Sequence, residues 1–120
     1  MKKIFIVFMC LLCFSIPCFA SSWYWIGAST NGTQYYIDND SVRKNNHYAI
    51  VWVKISNPDG TSSIEQLFFN HYNKTYAVNR WADYASNGQV SNSGTPSYLN
   101  YESIIPDSMG ENVYYAIWGY

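Results

Sequence analysis

After position 20 this 120-residue chain contains no cysteine; its three thiols, Cys10, Cys13 and Cys18, all precede that point. Residues 21–120 therefore have no disulfide, no thiol nucleophile and no cysteine-ligated metal. Basic residues are also scarce. Once Lys2 and Lys3 are set aside, five remain against eight acidic ones, a net charge of −3. That leaves no patch for nucleic acid, and the one adjacent cationic pair, Arg43 with Lys44, reads as a solvated turn. Histidine occurs twice, at His47 and His71, neither in a metal-binding spacing with a carboxylate or a second histidine. There is no G-x-S-x-G elbow for a serine nucleophile. Asp38 and Asp40 flank Asn39 but lack the later glycine and glutamate of a calcium loop, so they read as a turn whose side chains bond the local backbone. Glu65, Asp83 and Glu102 are the carboxylates that glycoside chemistry would have to pair, and sequence does not give their separation. No catalytic group, cofactor or metal site is expected.

The only long apolar run, Ile4 to Ile16, is too short to span a bilayer comfortably, which takes about 20 residues. Lys2 and Lys3 precede it, and small residues ending at Ala20 follow. The order charged, apolar, small is that of a secretory signal peptide over residues 1–20. Cleavage there would leave residues 21–120 as one small exported domain, in the periplasm or at the outer cell surface, with no transmembrane segment. A lipoprotein signal would place a lipid on Cys18, but Pro17 stands where such sites favour a small flexible residue.

What the sequence has in abundance is aromatic residues, nineteen of them in residues 21–120. Short runs rich in Tyr, Trp, Val and Ile alternate with clusters of Asn, Gly, Ser and Asp, as in antiparallel strands joined by turns. Strands are predicted over 22–29, 34–38, 47–56 and 62–70, with hairpin turns at "TNGT" (30–33) and "NPDG" (57–60). Residues 74–84 have strand or helix character, and Tyr76 and Val78 between polar neighbours favour a strand. Residues 86–97 read as a loop, with Asn87-Gly88 its candidate hairpin tip.

The end of the chain, "PDSMGENVYYAIW" (106–118), reads as a capped helix. Ser108 and Glu111 have the S-x-x-E spacing of a capping box, and Pro106 and Asp107 suit a helix entrance. Met109, Val113, Ala116 and Ile117 recur three and four residues apart and form an apolar stripe. A helix of about ten residues is marginal alone in water, so the stripe needs a partner surface. The predicted fold is therefore α+β, an antiparallel β-sheet with a C-terminal α-helix packed on one face.

Taken in order, "WYWIG", "YYIDNDSV" leading into "YAIVWVK", "NPDGT", "NKTY" and "IIPDSMGENVYYAI" resemble the bacterial surface-adhesin protein E-like domains. The resemblance covers nearly all of residues 21–120. It implies an antiparallel sheet with a C-terminal helix, export in a Gram-negative bacterium and, for the best-known member, adhesion to host proteins. It also implies a disulfide that this chain lacks: the positions matching the family's two cysteines fall at or near His71 and at Trp118. A disulfide closing such a loop is worth ~2–4 kcal/mol. Full burial of a tryptophan is worth at most roughly 4–6 kcal/mol at ~25 cal/mol per Å². Trp118 packed against the sheet is expected to stand in for the bridge.

Nineteen aromatic rings exceed what one helix–sheet interface buries, and tyrosine and tryptophan give contact area at low entropic cost. The alternative is that they pair across strands and stabilise the sheet. Tyr24, Tyr36 and Trp52, each in a strong strand, are the nominated contacts for a protein or peptide ligand, host extracellular-matrix proteins being the class the resemblance implies. The competing readings are a periplasmic structural or envelope-maintenance domain and, less favoured, a small envelope hydrolase. The intact mass of the exported protein should match residues 21–120 without modification; a diacylglyceryl adduct on Cys18 would overturn that assignment.

Overall fold

The computed structural model describes residues 22–119, and the expected signal peptide lies outside them. Eight strands are followed by one helix: β1 (Trp23–Ala28), β2 (Gln34–Asp38), β3 (Arg43–Lys44), β4 (Tyr48–Ser56), β5 (Ser62–Asn70), β6 (Thr75–Tyr84), β7 (Val90–Gly94), β8 (Glu102–Ser103) and α1 (Met109–Trp118). All pairings are antiparallel, in the order β1-β2-β4-β5-β6-β7, with β3 on β4 and β8 on β6. This is the α+β fold expected, an open antiparallel sheet with a C-terminal helix.

Turn chemistry sets the register. Ser29, Asn57 and Ala85 each donate their N–H to the carbonyl four residues on, and each accepts from a glycine three residues on, Gly32, Gly60 and Gly88. Those glycines have φ of 93°, 91° and 86°, the left-handed region open to glycine without steric cost. Asn31, Asp59 and Asn87 each accept a backbone N–H two residues on. Thr61 also donates its hydroxyl to Asp59, and the two bonds together hold that carboxyl below its ordinary pKa.

In the register, Ile37 faces Val53, Val53 faces Glu65, Val51 faces Leu67 and Ala49 faces Phe69. Partners across an antiparallel pair project to the same side, so these residues share one face of the sheet. On it Ile37, Val51, Val53, Leu67 and Phe69 are buried against Val113, Tyr114 and Ile117 of α1. Ser108 caps the helix, its hydroxyl accepting from the Glu111 N–H. The Glu111 carboxylate reaches the N–H of Asp107, one residue earlier than in a standard capping box. At the other end Gly119 donates to Tyr115, and Lys44 of β3 donates to the Ile117 carbonyl. That supplies the cation absent from the last turn, where the helix dipole favours one. Arg43 and Lys44 thus form a short strand, not the turn expected.

The predicted stripe needs one correction. Ala116 faces solvent and Tyr114 is buried in its place, so the docked side is turned toward Tyr114 and Trp118. The cause is an aromatic cluster at the end of β5. The Trp118 indole stacks on the His71 ring, centroids 4.4 Å apart and planes within 15°, and meets Phe69 edge-on at 6.4 Å. The Tyr114 hydroxyl lies 2.5 Å from His71 Nδ1, and the Trp118 Nε1–H donates to the Asn45 carbonyl at 3.1 Å. The two positions that the resemblance assigns to a cystine are therefore in contact.

A second correction concerns residues 86–97. Asn87-Gly88 is a hairpin tip, but Val90–Gly94 is a strand, paired with Trp81–Tyr84. Its first four residues are exposed, so no buried face imposes the alternation by which a strand is read from sequence.

Trp118 is only partly buried, so Trp118→Ala should cost roughly 2–3 kcal/mol, below the ~3–5 kcal/mol of a fully buried ring. Tyr114→Phe, which removes one hydrogen bond, should cost about 1 kcal/mol. Denaturant melts check both. An unmoved midpoint for Trp118→Ala would mean that Val113 and Ile117 hold the helix alone.

Candidate functional site

The helix covers one face of the sheet and leaves the other without a partner element among the described residues. On that second face the register sets Trp23, Asp38, Trp52, Gln66 and Arg80 in one row across β1, β2, β4, β5 and β6. Trp25, Tyr36, Lys54, Ile64 and Ala82 form the adjacent row. A bulge sets Asn79 out of register between Arg80 and Val78, and its side-chain amide donates to Gln66 Oε1 at 2.7 Å. Bulges increase local strand twist, and this face holds a groove of about 490 Å³, lined by Trp23, Trp52, Ile64, Arg80 and Tyr84 among others.

Ring contacts concentrate beneath the helix, while Tyr24, Tyr35 and Trp81, farther out on the same side, make none among the described residues. Under and beside the helix Phe69, His71, Tyr76, Tyr114 and Trp118 contact one another in a continuous set. Among the described residues, Trp23, Trp25, Tyr36, Trp52 and Tyr84 stack on no other ring. Trp25 donates its Nε1–H to Gln34 at 2.7 Å, and the Lys54 ammonium sits over the Trp23 ring, 5.8 Å from its centroid. Cross-strand ring stacking therefore does not account for the aromatics of this face.

Of the three nominated contacts, Tyr36 and Trp52 lie on the groove face. Tyr24 does not. It pairs with Ile37 and so projects to the helix-bearing side, where it is 60 % exposed. The nominations left the faces unassigned, and the register divides them. Trp23, Ile64, Arg80 and Tyr84 were not nominated. The sequence held a signal for the first, because in "WYW" strand alternation places Trp23 and Trp25 together and Tyr24 opposite. The others depend on register across β5 and β6, including the bulge at Asn79.

A second recess lies on the helix-bearing side, beyond the helix. Glu65, Tyr76, Val78, Pro96, Tyr98 and Glu102 line about 380 Å³, and Glu65 and Asp83 share an adjoining hollow. The three scattered carboxylates are thus brought to one region. Asp83 accepts from the Ser63 hydroxyl at 2.6 Å. Burial, and secondarily the charge of Asp83, raises Glu65 above its ordinary pKa. Tyr76 is raised as well, by burial and then by Glu102 and Glu65. The histidines are elsewhere, His71 against Tyr114 and Trp118 and His47 stacked on Tyr72 at 6.1 Å. Among the described residues no group of His, Cys, Asp and Glu is arranged to hold a metal ion, and no helix is long and apolar enough to cross a membrane. No family model, curated protein or solved structure matches this chain.

Because the folded state holds the Glu65 proton more tightly than the unfolded chain does, stability falls as pH rises from 4.5 through the folded value. Glu65→Gln should raise the denaturant midpoint at neutral pH and leave it unchanged well below pH 4.5. An equal shift at both pH values would show that the carboxylate's charge is not the cause.

Proposed function

We propose that residues 21–120 form an exported, non-enzymatic binding domain of the surface-adhesin protein E-like kind, which takes a protein or peptide ligand in the groove opposite the helix. Host extracellular-matrix proteins are the ligand class to which the resemblance points. The observation that carries the reading is the set of aromatic rings on that face, which have no aromatic partner within the described residues and of which Trp23, Trp52 and Tyr84 line a groove large enough for several side chains. Rings of this kind are typical anchors of protein recognition, where tryptophan and tyrosine dominate the binding energy. The contact of His71 with Trp118 supports the family resemblance, since those are the positions at which it implies a bridge.

One observation favours a different reading. Glu65, Asp83 and Glu102 converge on a recess, as an envelope hydrolase would require. That recess lies on the opposite side of the sheet from the groove, so variants separate the two functions. A periplasmic structural role is separated by location: protease treatment of intact cells removes a surface-exposed domain and spares a periplasmic one.

Binding to immobilised extracellular-matrix proteins tests the proposal. Trp52→Ala and Tyr36→Ala should each weaken binding by about 1–3 kcal/mol, whereas Tyr24→Ala, on the other face, should leave it unchanged. Because rings supply most of the contact, affinity should largely survive added salt. Circular dichroism on each variant reports retention of fold. Binding lost with Tyr24→Ala but kept with Trp52→Ala would move the site to the helix-bearing side, and no binding at all would favour the periplasmic reading.

A further inference from the structure

Charge is unevenly distributed over the two faces. Of the eight carboxylates only Asp38 belongs to the groove face, and its Oδ1 is engaged by the backbone N–H groups of Ser22 at 3.3 Å and Asp40 at 3.2 Å. Glu65 and Asp83 are on the other face; Asp40 and Asp59 lie in turns, Glu102 in β8, and Asp107 and Glu111 at the helix start. Three of the five cations, Arg43, Lys54 and Arg80, are on the groove face, Arg43 being paired with Ile50 and outside the groove lining. The Lys54 ammonium is held over Trp23, and Arg80 is exposed. Among the described residues neither makes an ion pair, and the Arg80 guanidinium has no hydrogen-bond partner. Arg80 lines the groove and Lys54 stands beside it over Trp23, with Asp38 the one carboxylate among the lining residues, so the groove of a domain of net negative charge has a net positive rim.

The spacing of that rim is set by the sheet. Lys54 and Arg80 are on strands two apart, about 10 Å, and are offset by two residues, about 7 Å, so their backbone positions are roughly 12 Å apart. Trp52, Ile64 and Gln66 lie between them. In an extended chain, residues four apart project to the same side at about 13 Å, with the residue midway on that side too.

Building on the binding function proposed above, we propose that the groove recognises an extended acidic peptide segment. Two acidic side chains four residues apart meet Lys54 and Arg80, and an apolar side chain midway seats on Trp52 and Ile64. Guanidinium groups bind carboxylates through paired N–H donors, and the unpaired Arg80 has those donors free. The apolar floor between the cations favours such a segment over a polyanion, which needs cations along its whole length.

The test is an NMR titration of the exported protein with an acetylated, amidated peptide, Glu-Ser-Leu-Ser-Glu, and with its counterpart in which both Glu are Gln. The acidic peptide should shift the indole resonances of Trp23 and Trp52 and bind about fivefold more tightly than the Gln peptide, as expected of two partly exposed ion pairs. Arg80→Gln and Lys54→Gln should each reduce that preference, and the double variant should abolish it while retaining amide dispersion. Equal affinity for the two peptides at the groove would overturn the acidic assignment and leave the binding function standing. A sulfated tetrasaccharide displacing the acidic peptide from the groove with higher affinity would overturn the peptide assignment in favour of an anionic saccharide. Shifts confined to the helix-bearing side, or no shift from any of the three ligands, would overturn this inference and the groove reading with it.

Discussion

The stack of Trp118 on His71, with the Tyr114 hydroxyl on the same imidazole, ties the last turn of α1 to the turn that follows β5. A ten-residue helix does not hold itself together in water, and residues 21–120 contain no disulfide to hold it. The ring cluster closes one end of the interface, while Val113 and Ile117 fill its middle against Val51, Val53 and Phe69. Lys44 and Asn45 complete it by taking up the Ile117 carbonyl and the Trp118 indole N–H. Each of these contacts joins residues far apart in the chain, so the helix position depends on the whole central sheet.

That docking makes the sheet two-sided. One face carries the helix, its ring cluster and the acidic recess beyond it, and the other keeps Trp23, Trp25, Tyr36, Trp52 and Tyr84 without ring partners among the described residues. The bulges are part of the same arrangement. Glycine at position 27 admits Met109, whose Cε would lie 3.3 Å from an added Cβ, so the irregularity in β1 lets the start of the helix approach the sheet. The displacement of Asn79 sits beside Arg80 and the groove. Irregular strands thus serve both faces: one seats the helix, and the other accompanies a concave surface that the binding function would use.

Much of this was legible in the sequence, for identifiable reasons. β1, β2, β4 and β5 announced themselves because apolar alternation and Asn-Gly or Asp-Gly turns agree there, and the helix did so through Ser108 and Glu111. β3 and β8 were not legible, since two residues carry no period, and β7 was hidden because its side chains are mostly in solvent. The rotation of the helix toward Tyr114 was invisible because it depends on His71, forty-three residues earlier. For the site, "WYW" separates its rings by alternation alone, but membership of Ile64, Arg80 and Tyr84 depends on register and on a bulge that hydrophobic pattern does not encode. The meeting of Glu65, Asp83 and Glu102 is likewise a product of strand pairing and of the path taken by residues 95–101.

The central claim is that the aromatic cluster makes the terminal helix one cooperative unit with the sheet. Native-state hydrogen exchange tests it most directly, because it reports the opening free energy of each amide. The account predicts that the hydrogen-bonded amides of α1 between Val113 and Trp118 exchange with the same free energy and denaturant dependence as those of β4 and β5. Helix amides that exchange through a separate, lower-energy opening while β4 and β5 stay protected would contradict it.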